Sequence, residues 1–180
     1  MGKTAFPLKA ALATAMIFSS ALAFALPAPL QVRPGKVMPP IQSGISVGGK
    51  SADEFSLLSV RAENTPDGKN ERLVLAYGDR FGQPHRGEPG YFHVALDRDA
   101  RRLVIDLAQV RKTKIDPQQL SKILKNSKFV ASSEMTMDPQ DGSTNITLTM
   151  KQSVQVKVAT VDADQGSLVL EILPSRGDRK

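Results

Sequence analysis

The chain has 180 residues, a formal net charge of +6, 5% aromatic residues and no cysteine. The missing thiol excludes disulfides, Cys-ligated zinc, iron–sulfur clusters, thiol catalysis and a lipidated cysteine anchor. The mild basic excess favours acidic partners, and the low aromatic content without a basic reading helix argues against nucleic acid.

The first residues read "MGKTAFPLKAALATAMIFSSALAFALPAP". Lys3 and Lys9 make a positive start, residues 10–26 an apolar and small-residue run, and Ala21-Leu22-Ala23 or Ala23-Phe24-Ala25 a small-x-small cleavage site. The run falls short of the roughly 20 residues of a spanning helix, and Pro27 and Pro29 follow it. A signal peptide over residues 1–25 and a periplasmic location are therefore expected, with no integral membrane span after cleavage. Of 24 basic side chains, losing Lys3 and Lys9 leaves 22 against 18 acidic ones, a net +4.

Residues 26–52 are rich in Pro and Gly and have no sustained period, which predicts a linker. From residue 53 to 174 short runs with a period of two dominate, and residues 175–180 form a basic tail. "EFSLLSVRA", "ERLVLAY", "GYFHVAL" and "RRLVIDL" make one group of expected strands. "KFVASSEMTM", "NITLTMK", "SVQVKVATV" and "SLVLEIL" make a second. Between them "IDPQQLSKILKNS" reads as a helix, with Asp116 as cap, Pro117 in the first turn and Leu120, Ile123 and Leu124 as its apolar stripe.

The two groups look like one module written twice. Residues 55–78 align without a gap on 129–152, an offset of 74 that sets Asp67-Gly68 on Asp141-Gly142. "RLVIDL" (102–107) falls on "SLVLEI" (167–172) at an offset of 65, so the first copy carries about nine extra residues in "GDRFGQPHRGEPG" (78–90). In the intervening strand an offset of 64 keeps Phe92 and Val94 in phase with Val156 and Val158, because a one-residue slip exchanges the faces of a strand. The expected fold is an all-β, two-sheet sandwich from two related halves, residues 55–107 and 129–172, with one short connecting helix.

"RLVIDL" at 102–107, "ERLVLAY" at 71–77 and "SLVLEIL" at 167–173, in an exported chain with two similar halves, resemble the AMIN domain. The resemblance covers residues 53–173. It implies a small β-sandwich that localises its host at the cell envelope, with peptidoglycan as ligand. This chain departs from the family pattern in continuing Asp106-Leu107 with Ala108-Gln109, in the helix at 116–126 and in the insert at 78–90.

Catalytic and metal chemistry have little to stand on. His85 and His93 lack a third ligand at metal-binding spacing, and no nucleophile elbow is present. Asp106 and Glu171 are equivalent in the two copies and read as polar residues on outer strand faces rather than as an acid–base pair. "DPQDGSTN" lacks the full calcium-loop spacing and reads as a hairpin turn. No enzyme activity, cofactor or metal is expected.

Two surface features remain as binding candidates. The insert holds Arg80, Phe81, His85, Arg86 and Tyr91, and is either a binding loop or a tolerated insertion. A cationic set comprises Arg111, Lys112, Lys114, Lys122, Lys125 and Lys128, and is either a binding face or a solvated one. The expected partner is peptidoglycan or another envelope polymer. The alternative is an envelope protein complex in which this chain docks by adding a strand to an exposed sheet edge.

Overall fold

The computed structural model describes residues 36–51, 54–162 and 166–175. The expected leader, the first part of the linker and all of the basic tail but Ser175 lie outside them. All described residues belong to one unit, Val32–Lys180.

Ten strands and one helix follow in the order β1 (Gly44–Gly48), β2 (Phe55–Asn64), β3 (Glu71–Asp79), β4 (Phe92–Asp97), β5 (Arg102–Leu107), β6 (Val110–Thr113), α1 (Pro117–Leu124), β7 (Val130–Asp138), β8 (Ser143–Met150), β9 (Val154–Val161) and β10 (Ser167–Pro174). All eight strands expected from the period-two runs are present. They form two five-stranded sheets, β1-β4-β5-β8-β7 and β6-β2-β3-β10-β9. Alternate residues turn inward: Leu73, Leu75 and Tyr77 from β3, Leu103, Ile105 and Leu107 from β5, Ile146 and Leu148 from β8, Leu168 and Leu170 from β10. These and their neighbours form one core between the sheets.

Neither sheet is one half of the sequence. Each takes one hairpin from each half, and β3–β10 and β5–β8 are the central seams. Exchanging the halves turns β2-β3-β10-β9 into β7-β8-β5-β4, so the duplication swaps the two sheets. The registers carry the relation in detail. Leu57 pairs with Tyr77, and 73 residues further on Val130 pairs with Met150. The β-bulge at Leu58 recurs at Ala131, after which Ser59–Ala76 becomes Ser132–Thr149. Phe92–Leu107 becomes Val156–Ile172, and Ile105–Ile146 has Leu170–Leu73 as its counterpart.

These pairs correct one expectation. The first hairpins match at an offset of 73, not 74. An offset of 74 would set the inward Leu73 on Thr147, whose neighbours Ile146 and Leu148 are the ones in the core. The misleading signal was the turn glycine. Gly68 and Gly142 both have positive φ, 66° and 62°, but Gly142 sits one position later in its turn. The offset of 64 that keeps Phe92 with Val156 holds.

The stretch read as a linker already contributes structure. β1 pairs antiparallel with β4. Upstream of it, Val37 and Ile41 bridge to Ala159 and Val156 on the edge of β9. Met38 is buried in the core and accepts a hydrogen bond from Ser46 Oγ at 2.9 Å. Isolated Val, Met and Ile among Pro and Gly are enough to complete two sheet edges, although they are too sparse to show a period.

α1 forms as its sequence directs. Asp116 accepts from Gln119 N at 2.7 Å, and Gln119 Oε1 accepts from Asp116 N at 3.1 Å, a reciprocal capping box with Pro117 in the first turn. Leu120 and Leu124 are buried. The helix ends at Leu124, so Lys128 is not on it.

Candidate functional site

The insert between β3 and β4 is tied down rather than loose. Asp79 Oδ1 accepts from Phe81 N at 2.8 Å and Gln83 N at 2.9 Å, the local turn that Asp favours. His85 N donates to Tyr77 O, and Gly166 N donates to His85 O at 2.7 Å. The His85 ring stands edge-on to Phe55, with centroids 5.0 Å apart, and its Nε2 lies 3.1 Å from Glu88 O. His85, expected in the binding set, is half-buried and fixes the loop to the core. Arg86 is exposed beside it.

The same loop gathers four of the expected residues. The Arg80 guanidinium lies 4.6 Å from the centre of the Phe81 ring, which is 72% exposed. β6 runs parallel to β2 and brings Lys112, and Lys114 just after it, alongside. Lys112 Nζ reaches Arg80 O at 3.5 Å, and Lys114 Nζ donates to Gly82 O at 3.0 Å. Arg111 of the cationic set is instead paired with Glu54, at 3.5 Å.

The remaining cations lie elsewhere. Lys122 and Lys125 are exposed and line a groove of about 330 Å³ between α1 and the start of β7. Lys128 Nζ donates to Gly68 O at 2.7 Å in the β2–β3 turn. That turn and the insert are at opposite ends of β3, about 27 Å apart at a strand rise of about 3.3 Å per residue. The expected binding residues therefore make an insert–β6 cluster, a pair at the C-terminal end of the helix and one outlying lysine. Among the described residues, none of Arg80, Lys112, Lys114, Lys122, Lys125 and Lys128 is in an ion pair.

Sequence reading missed a groove of about 720 Å³, lined by amide and hydroxyl side chains, among them Gln42, Asn70, Gln152 and Gln155, with Lys69 and Lys157. Its walls come from four separate stretches of chain, and no local pattern marks any of them.

Asp106 and Glu171 do not meet. They occupy matching outward positions on different sheets. Asp106 pairs across the strands with His93 and Asn145. Glu171 lies in a row of alternating charge, Glu63–Arg72–Glu171–Lys157, across the other sheet. No group of three or more His, Asp or Glu side chains converges among the described residues, and no described helix is long and apolar enough to cross a membrane.

No protein-family model matches the chain, and no curated protein matches it in sequence.

Proposed function

We propose that the protein is a non-catalytic, periplasmic module that binds an anionic polymer of the cell envelope, with peptidoglycan as the expected one. The observation that carries this reading is the insert–β6 cluster. Arg80 lies against the exposed ring of Phe81, Lys112 and Lys114 reach the carbonyls of Arg80 and Gly82 on either side of it, and among the described residues none of the three has a carboxylate partner. Uncompensated cations beside an exposed aromatic face suit a ligand that offers both carboxylates and apolar sugar faces. The two-sheet sandwich of related halves supports an AMIN-like role, since the sheets hold the loop rigidly and leave its side chains free to bind.

The test is co-sedimentation with purified peptidoglycan sacculi at low and moderate salt. Pelleting that weakens with salt, and falls when Arg80, Lys112 and Lys114 are replaced together by Ala, supports the reading. Absence of pelleting at any salt, or pelleting indifferent to the triple replacement, refutes it.

A further inference from the structure

Three of the four outer strands of the duplicated core carry another segment on their free side. β4 carries β1, β9 carries the bridges from Val37 and Ile41, and β2 carries β6. β7 is the exception. It is nine residues long, and apart from its ladder with β8 no backbone hydrogen bond reaches residues 131–138 among the described residues. Exposed edges of this length are usually shortened or covered, because their unpaired amides and carbonyls template another strand.

The surroundings of β7 form a trough. α1 packs beside it. The groove of about 330 Å³ follows residues 130–133 against Lys122 and Lys125, and a second of about 360 Å³ follows Met135 and Met137 against Ile115 and the start of the helix. An edge strand beside a helix is the geometry in which extended peptides add to a sheet. Ser133 Oγ, which lines the first groove, is buried without a hydrogen-bond partner.

We infer that the β7–α1 trough takes an extended acidic peptide segment of a partner protein, added to β7 as a parallel strand. Charge selects the acidic character. Lys122 and Lys125 wall one half and Lys114 the other, while the Asp116 carboxylate is engaged in capping α1 and Glu134 alternates with the groove residues Ser133 and Met135 onto the opposite face. The half-buried Met135 and the exposed Met137 offer an adaptable apolar wall for alternate side chains. Orientation follows from the duplication. β2 is the counterpart of β7, bulge included, and its free edge already holds β6 in parallel. This inference rests on the free edge of β7 and on Lys122 and Lys125 rather than on the insert; Lys114 borders both sites, and the inference does not depend on polymer binding.

The experiment is selection of a randomised peptide library, with inserts of roughly eight to ten residues to match the strand, against the purified protein. The best binder is then mapped by amide chemical shifts and hydrogen exchange. Expected are acidic sequences with alternating apolar residues, perturbation and slowed exchange along residues 130–137 and α1, and broadening at the Val130 end from a spin label on the peptide N-terminus. The double variant Lys122→Glu, Lys125→Glu, at exposed positions in the last turn and C-cap of α1, should bind about tenfold more weakly, and added salt should weaken the wild type. No enrichment, neutral or basic binders, broadening at the Met137 end, perturbation confined to the insert, or self-association through β7 in analytical ultracentrifugation would each overturn it.

Discussion

The buried carboxylate of Glu71 accepts a hydrogen bond from Ser127 Oγ at 2.6 Å across 56 residues of chain. Ser127 Oγ in turn accepts from Phe129 N and Val130 N, and Glu71 Oε2 also accepts from Lys128 N at 3.2 Å. One hydroxyl thus joins the β2–β3 hairpin to the start of β7, where α1 hands the chain to the second half. Replacing Ser127 by Ala strips an acceptor from two amides and a donor from a buried carboxylate. The expected loss is about 1–3 kcal/mol, read as a lower urea midpoint at unchanged slope.

Tyr77 presents the reverse case. Its ring is fully buried, and its hydroxyl has no hydrogen-bond partner. Burial first, and the nearby Asp106 charge second, push the phenol well above the usual tyrosine range. Tyr77→Phe should therefore leave stability at pH 7 unchanged or raise it by about 1 kcal/mol, since it removes an unsatisfied group. The pH dependence has a definite sign. The folded state keeps the proton, so this contribution to stability is intact below the unfolded tyrosine value of about 10 and is lost as pH rises above it. Urea midpoints on either side of that value should fall less in the variant than in the wild type.

The paired turns allow an internal comparison. An added methyl at Gly68 meets nothing within 4 Å, whereas at Gly142 it comes within 2.5 Å of Arg111 Nε and 2.9 Å of its Cγ. Both positions have positive φ, so Ala costs about 1 kcal/mol at each from backbone strain. Gly142→Ala should lower the melting temperature more than Gly68→Ala, and replacing Arg111 by Ala in the same chain should narrow the difference.

The charge row across the β6-β2-β3-β10-β9 sheet predicts a salt-sensitive effect. Glu171 sits between Arg72 and Lys157 and accepts from Asn70 Nδ2 at 2.8 Å. Glu171→Lys would line up three cations and should destabilise by roughly 1 kcal/mol at low salt. Thermal unfolding in molar salt should recover much of that loss, because the row is solvent-facing.

Sequence reading reached further into this fold than into its surface. The strands were legible because each buries one face, so every second residue had to be apolar. α1 was legible because Asp116, Pro117 and Leu120 carry the signals of a helix start. The matched Asp-Gly pairs point to an offset of 74 for the first hairpins, whereas the phase of Leu73 and Leu75 requires 73. In the folded chain the core decides the phase and the turn absorbs the slip.

Of the expected binding residues, Arg80, Phe81, Lys112 and Lys114 share one surface because the insert folds back on β6, 32 residues away in sequence. His85 turned inward because Phe55 offered its ring, and Lys128 bonded a distant turn. None of these outcomes has a local signature. The amide-lined groove and the β7 trough likewise arise from segments that meet only in space.

By itself the sequence determined the strands, the capped helix and the existence of two related halves, since these follow from periodicity and short-range hydrogen bonding. Only the tertiary structure decided that the halves trade hairpins between the sheets and that β7 keeps an edge unpaired among the described residues. Those choices depend on which apolar faces bury one another and which backbone groups find partners, and pairings of that kind are settled across the whole chain at once.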